Sequence, residues 1–456
     1  MTDLSKISSV YFAGIGGIGM SALARWFNAR GIKVSGYDKT PTLLTDQLSA
    51  EGMKIHFTDD INLLDKNAGI VVYTPAIPAT HTELNYYREN NYTLLKRSDV
   101  LGLISKDTFN ICVAGTHGKT TTGAMIAHIL RDSGFGCNAF LGGIAANYDT
   151  NFWGSENNVS VAEADEYDRS FLKLSPDIAI ITAMDADHLD IYGTEKNMQD
   201  AFIEFSGKIK LTGTLLIKDT VKRNEEFNAP NRLTYSAFSQ TADIHTEDLK
   251  IVKGSYSFDV VIKDKRIKNI VMNMGGMHNI ENVTAAIAVA DMLKIDEEKI
   301  RQAVASFKGV KRRFEYIINK EDLVMIDDYA HHPEELRALI TGAKELFPGK
   351  KCTVIFQPHL FSRTNDLSAG FAEVLDMADE TILLPIYPAR ELPMPGVTSS
   401  LISDKMLSAK KWIKEPNELF AWLKENKTEL LITAGAGDID TLVQPIKKIT
   451  EGRSEN

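Results

Sequence analysis

Cysteine is scarce. Cys112, Cys137 and Cys352 are the only three in 456 residues, odd in number and far apart. That spacing speaks against a disulfide framework and shows no metal-binding pattern. The thiols read as small apolar residues of a reduced, cytoplasmic protein. Long apolar runs are also missing: none reaches the ~18–20 residues that a membrane span needs. The start, Met1-Thr2-Asp3-Leu4-Ser5-Lys6, carries no signal-peptide apolar region, so no membrane insertion is expected. Positive charge is in deficit, with 51 Lys and Arg against 61 Asp and Glu and a net charge of −10. Nucleic-acid binding wants a basic footprint, so no nucleic-acid partner is expected. No repeat of 20–50 residues appears, which excludes a solenoid. What remains, 44% hydrophobic and 25% charged, is ordinary for a globular chain, and this length suggests roughly three domains.

The most informative stretch is Gly115-Thr116-His117-Gly118-Lys119-Thr120-Thr121-Thr122. An apolar run, 109–114, precedes it and a helical pattern, 123–130, follows. In a strand–glycine turn–helix unit the first backbone N–H groups have no partner within the helix and are free to hold an anion. Lys119 adds a point charge for outer phosphates, and the Thr120 hydroxyl suits magnesium. Only Thr116 and His117 separate the two glycines, so the loop departs from the usual four-residue spacing. The bland alternative is a Gly/Thr-rich helix start with no ligand.

Upstream, a strand-like run at 10–13 leads into Gly14-Ile15-Gly16-Gly17-Ile18-Gly19-Met20, a helix, and a second strand ending at Asp38. Gly14, Gly16 and Gly19 have dinucleotide-fold spacing, and an acid at Asp38 is where a ribose is often held. Alone, this pattern says phosphates near a helix N-terminus, not which nucleotide. A further strand at 70–73 runs into Thr74 and a loop with Pro75 and Pro78, an exposed strand end of the kind that contacts ligands. Arg97 lies near the end of this domain.

Past the phosphate loop, Leu141-Gly142-Gly143 reads as a turn. A strand at 159–162 ends in Glu163-Ala164-Asp165-Glu166-Tyr167-Asp168, and one at 178–182 ends in Asp185-Ala186-Asp187-His188. Ligands gather at the carboxyl ends of parallel strands. Magnesium takes oxygen ligands and retains waters, so Glu163 is the first choice, with His188 a softer candidate for a second ion. A strand-rich segment fills 208–271. His278, Asn279 and Asn282 then open an alanine-rich helix; Asn279 is either an N-cap or, with Asn282, an amide suited to an adenine edge. Gly309 to Glu315, including Arg313, reads as a linker. Beyond it, strands end in Asp327-Asp328 with His331 and His332, in Gln357 to Arg363 with His359, in Pro385 to Glu391, and in Ala434 to Asp438. This is the doubly wound α/β pattern with a ligand edge.

In their order, these motifs resemble the Mur ligase family of peptidoglycan synthesis over essentially the whole chain. The carriers are the Gly14–Ser21 segment, Gly115–Thr122, Glu163-Ala164-Asp165-Glu166, Asp187-His188-Leu189-Asp190, His278-Asn279-Ile280-Glu281-Asn282, Arg312-Arg313-Phe314-Glu315 and Asp328-Tyr329-Ala330-His331-His332-Pro333. The glycine motif, the acidic run and the His-His-Pro segment look most like the alanine-adding branch. The resemblance implies an α/β fold of three domains. Residues 1–106 would form a Rossmann-like domain for a UDP substrate, 107–311 a P-loop ATPase-type domain with a strand-rich insertion, and 312–456 a Rossmann-like domain placing the amino acid.

The implied reaction joins L-alanine to UDP-N-acetylmuramate with ATP and Mg2+, in the cytoplasm, by a monomer or weak homodimer. ATP would meet Gly115, Thr116, His117, Gly118, Lys119, Thr120, Thr121, Asn279, Asn282, Arg313 and Asp328. The metal would meet Thr120, Glu163 and His188. The other substrates would meet Gly16, Gly17, Ile18, Gly19, Asp38, Thr74, Arg97, Glu166, His331, His359 and Arg363. Lys119, His188 and Arg363 are the expected catalytic residues. Several sister ligases use a carbamylated lysine after the His188 segment; Phe202-Ile203-Glu204-Phe205 offers none. Three alternatives stand beside this reading: a recycling ligase that attaches a tripeptide, a nicotinamide-dependent oxidoreductase built on Gly14–Gly19 and Asp38, and a nucleotide-gated binding protein without catalysis.

Overall fold

The computed structural model describes residues 3–185, 189–252, 254–389 and 391–452. Its strands form three sheets. The first holds β1 (Ser9–Ala13), β2 (Lys33–Tyr37), β3 (Lys54–His56), β4 (Ile70–Tyr73) and β5 (Leu94–Lys96), in the order β3-β2-β1-β4-β5. All its pairings are parallel. The order reverses between β1 and β4, and such a switch point opens a crevice at the carboxyl ends of the strands. The Gly14–Gly17 turn leaves β1 there, and Thr74 leaves β4 beside it.

The second sheet holds β6 (Phe109–Ala114), β7 (Asn138–Ala145), β8 (Thr150–Trp153), β9 (Val159–Ala164), β10 (Ile178–Ile181), β11 (Thr214–Lys218), β12 (Asn231–Ser236), β13 (Ile244–Val252), β14 (Ser255–Ile262) and β15 (Lys265–Met272). The order is β15-β14-β13-β12-β11-β10-β6-β9-β7-β8, so the strand-rich segment extends the same sheet. β6 lies at the centre between β9 and β10, parallel to both. The phosphate loop therefore leaves the middle of the sheet, and Glu163 and the segment after β10 leave its two neighbours at the same edge.

The third sheet holds β16 (Glu315–Asn319), β17 (Val324–Asp328), β18 (Cys352–Phe356), β19 (Glu380–Leu383), β20 (Lys411–Ile413) and β21 (Leu430–Ala434), in the order β16-β17-β21-β18-β19-β20. Only β16 runs antiparallel.

The chain divides into two compact units: 1–248 with 258–270 and 281–305, and 249–257 with 271–280 and 306–456. In the first unit one apolar core runs from Val10, Phe12 and Phe27 through Ala162 and Ile181 to Phe202. The first two sheets thus share buried surface. A buried polar network crosses the same seam: Arg25 Nη1 donates to Asn151 Oδ1 at 2.5 Å, while Asn151 Nδ2 donates to Ile18 O at 2.5 Å and Ser21 Oγ at 2.9 Å. In the second unit Met325, Ile355, Ile382 and Leu431 meet Leu419 and Ile446 of the covering helices.

Two sequence expectations change. Leu141-Gly142-Gly143 is not a turn but the middle of β7; the glycines are there for a close approach described below. The 309–315 segment is not a slack linker. Phe314 is buried, and Arg312 faces Asp327 at 3.4 Å and Asp440 at 3.6 Å.

Candidate active site

The phosphate loop needs its two glycines for different reasons. Gly115 has φ +136°, and a Cβ there would sit 2.1 Å from Thr182 Oγ1. Gly118 has φ +82° at the N-terminus of the helix Lys119–Asp132. Both backbones lie where L side chains are strained. Thr182, just past β10, donates its hydroxyl to Ala114 O and His117 O and so clamps the loop from the next strand. From the other side Thr122 Oγ1 donates to Asn282 Oδ1 at 3.1 Å. The opening helical N–H groups, lacking intrahelical acceptors, are held in a rigid anion cradle.

Lys119 and Thr120 each meet an acid from β9 or the turn after it. Lys119 Nζ lies 2.7 Å from both Glu166 oxygens and 2.5 Å from Gly115 O. Thr120 Oγ1 donates to Glu163 Oε2 at 3.1 Å, and Gly142 N–H donates to Glu163 Oε1 at 2.5 Å. A Cβ on Gly142 would stand 2.5–2.7 Å from the Glu163 carboxyl group, which is why β7 carries glycine at that point. Burial pushes the Glu163 pKa up, against the Gly142 N–H and the Lys119 charge. A desolvated carboxylate beside a hydroxyl is a hard oxygen donor pair, and a divalent cation would relieve the cost of burying that charge. The donor set fits magnesium. His188, expected for a second ion, lies outside the described residues.

The N-terminal glycines are equally specific. Gly16 N–H donates to Asp38 Oδ2 at 2.7 Å, and a Cβ there would meet that oxygen at 2.8 Å. A Cβ on Gly19 would lie 2.7 Å from Arg97 Nη1. Arg97 in turn pairs with Asp165 at 3.1 Å, so the glycine turn, Arg97 and the acidic run after β9 form one continuous region of the first unit. Asp59, His81 and Glu83 also come close enough to suggest a metal group. Asp59 is engaged by Thr82 N–H and Glu83 N–H, and Glu83 by Asp60 N–H and His56 Nε2. Those hydrogen bonds tie both carboxylates to the 56–83 segment.

In the second unit, Asn279 is inside the first turn of the helix His278–Met292, not its N-cap, and donates Nδ2 to Gly275 O at 2.6 Å. Asp328 accepts from Phe314 N–H and Ala330 N–H, both at 2.7 Å, and burial raises its pKa to about 6. Exposed Arg313 stands over the Tyr329 ring at 5.6 Å. His331 and His359 face each other with ring centroids 6.2 Å apart, and burial lowers both pKa values, helped by the nearby Arg363 charge. Among the described residues, His359 Nδ1 and Arg363 Nη1 are buried without a hydrogen-bond partner. A buried guanidinium N–H group without a partner marks a place for an anionic group. Asp38, Gly16 and Arg97 of the first unit, and His331, His359 and Arg363 of the second, thus fall into separate clusters. Sequence reading missed Gly142, Thr182 and Asn151; the glycine pair inside an apolar run was the one available signal.

Three family models match the chain: "Mur ligase family, catalytic domain" over 9–108, "Mur ligase middle domain" over 113–290, and "Mur ligase, glutamate ligase domain" over 312–437. The UDP-N-acetylmuramate–L-alanine ligase of Flavobacterium johnsoniae is 48% identical, covering 98% of this chain and 99% of that protein. That of Cytophaga hutchinsonii is 47% identical over 99% and 98%. Among solved structures, UDP-N-acetylmuramate-alanine ligase MurC from Thermotoga maritima superposes with a TM-score of 0.81 at 28% identity, covering 98% and 99%. A murein peptide ligase from Psychrobacter arcticus shares the fold, with a TM-score of 0.67 at 22% identity over 97% and 98%.

Proposed function

The chain belongs to the Mur ligase family, and from that premise we propose that it joins L-alanine to UDP-N-acetylmuramate at the expense of ATP. The observation that carries this reading is the full-length 48% identity to an L-alanine-adding ligase. The geometry of Lys119, Thr120 and Glu163 supports it. A carboxylate does not acylate an amine unaided, because its leaving group is too poor. Phosphorylation by ATP gives an acyl phosphate, and the amine displaces phosphate from it. The protein's share is positioning and charge neutralisation. In this reading residues 1–106 hold the UDP moiety, 107–311 the ATP, and 312–456 the amino acid.

The Gly115–Thr121 cradle and Lys119 take the phosphates. Thr120 and Glu163 would hold Mg2+, which would supply charge neutralisation for the phosphates. Asp38 and the Gly16–Gly19 turn hold the other nucleotide, with Thr74 and Arg97 beside it. His359 and Arg363, with His331, take an anionic group of the acyl partner or amino acid. Burial and the nearby Arg363 charge favour the neutral imidazole at both His331 and His359. The three buried, unpaired cysteines suit a reducing cytoplasm, and no helix among the described residues is long and apolar enough to cross a membrane.

The oxidoreductase and non-catalytic alternatives leave Lys119, Thr120 and Glu163 without a task. The tripeptide ligase is separated by assay. Purified protein is incubated with ATP, Mg2+, UDP-N-acetylmuramate and either L-alanine or the tripeptide, and phosphate release is followed. Release with L-alanine is expected. Release with the tripeptide alone would select the recycling reaction, and release with neither would defeat the ligase reading.

A further inference from the structure

The side chain that meets Lys119 in this structure is Glu166, and its placement is unusually well built. Glu166 is fully buried and Lys119 largely so. Three acceptors surround Lys119 Nζ, namely Gly115 O and the two Glu166 oxygens, and an ammonium group has three donors to give. The Glu166 backbone is pinned as well: its carbonyl accepts from Tyr192 OH at 2.6 Å and from Arg169 N–H at 3.0 Å. The turn that follows holds two successive non-glycine residues in left-handed conformations, Asp168 at φ 51° and Arg169 at φ 60°. Among the described residues, Arg97 pairs with Asp165 at 3.1 Å and Lys96 lies 4.0 Å from Asp168. The fold thus accepts local strain to bring one carboxylate onto the phosphate-binding lysine.

We propose that Glu166 is a built-in competitor for Lys119 that sets the affinity of the site for nucleotide. This rests on reading Gly115–Thr122 as the ATP phosphate site. All three Lys119 donors are engaged, so a terminal phosphate gains the lysine only by breaking its buried ion pair with Glu166. The free energy of that pair is subtracted from nucleotide binding. The exchange trades a carboxylate for a phosphate, so Lys119 keeps an anionic partner throughout, and the diphosphate product is easier to release than from a loop with a free lysine. The role goes beyond the substrate contact expected of Glu166 and is distinct from the metal binding assigned to Glu163.

The test is a thermodynamic cycle on the full chain. Binding of ATP in the presence of Mg2+, without co-substrates, is measured by calorimetry for the wild type, Glu166→Gln, Lys119→Met and the double variant. Competition predicts that Glu166→Gln binds ATP at least five-fold more tightly than the wild type. It also predicts that the same substitution changes affinity less than two-fold when Lys119 is already methionine. Glu166→Asp, one methylene shorter, is expected to tighten binding by a smaller factor; it carries the comparison if the glutamine variant does not fold. Unchanged or weaker binding in Glu166→Gln and Glu166→Asp would overturn the proposal. So would an equal tightening in the Lys119→Met background, which would mean simple repulsion between Glu166 and the phosphates. A wild type that binds no nucleotide would instead remove the reading of the loop on which the proposal stands.

Discussion

At the scale of single residues, the site is a set of charges whose partners come from adjacent strands. Lys119 is the position where loss is most direct. It supplies the loop's lysine charge, so Lys119→Ala is expected to lower kcat/KM by about 10²–10³-fold, the usual effect of deleting a single transition-state donor, while thermal unfolding stays cooperative. Near-wild-type phosphate release would count against the assignment.

In β17, burial raises the pKa of Asp327 to about 7 and that of Asp328 to about 6, both from an ordinary value of 3.8. A raised carboxyl pKa means that the protonated form favours the fold. The stabilisation is complete below pH ~4 and is lost as pH rises through about 6 and about 7. Asp327→Asn should therefore show a melting temperature that changes less between pH 5 and pH 8 than the wild type's. An equally steep pH dependence in both proteins would refute this.

Lys119, Glu163 and Asp328 were legible in the sequence because each ends or follows an apolar run. The Glu166–Lys119 pair was not, since nothing in a run of acids says which one turns inward.

At the scale of elements, strand order does most of the positioning. β6 lies between β9 and β10, so three apolar runs of the sequence deliver the loop, the Glu163 carboxylate and the Thr182 clamp to one edge. Those runs were legible because central parallel strands are buried on both faces and read as continuous apolar stretches. Short edge strands such as β3, β5, β8 and β20 were not, because three or four residues carry no usable period and are held by pairing with a neighbour.

β7 shows how a local rule misleads. Two adjacent glycines ordinarily mark a turn, yet here they keep a strand open to a carboxylate from β9. Gly142→Ala tests this. The methyl group would displace Glu163 from both Thr120 and the Gly142 N–H. The expected signature is a rise in the Mg2+ concentration needed for half-maximal activity, larger than any change in KM for L-alanine. An unchanged Mg2+ dependence would show that Glu163 is not held in place by β7.

At the scale of the whole molecule, the three family segments and the two compact units divide the chain differently. Segments 9–108 and 113–290 are separate family models, yet the apolar core of the first unit passes from Phe12 and Phe27 to Ala162 and Ile181 without a break. Motif order in the sequence marks functional segments. It does not mark where buried surface is shared, because that depends on which faces of the helix Ile18–Asn28 and of β7 and β8 meet.

Asn151 is the polar keystone of that seam. It is fully buried and serves Arg25, Ser21 and the Ile18 carbonyl at once. Asn151→Ala would leave a guanidinium and a helix-start carbonyl buried with fewer partners, a loss of about 2–4 kcal/mol by the usual cost of breaking a buried charged hydrogen bond. If the first unit is one cooperative body, that loss appears as a single shifted denaturation midpoint with the slope kept, and the 1–106 segment expressed alone exposes the apolar face of the helix Ile18–Asn28 and binds a hydrophobic dye. If the N-terminal segment is instead an autonomous domain, the isolated 1–106 segment folds cooperatively without dye binding, and Asn151→Ala leaves its transition where the wild-type segment has it. The continuous core and the Asn151 network favour the first outcome.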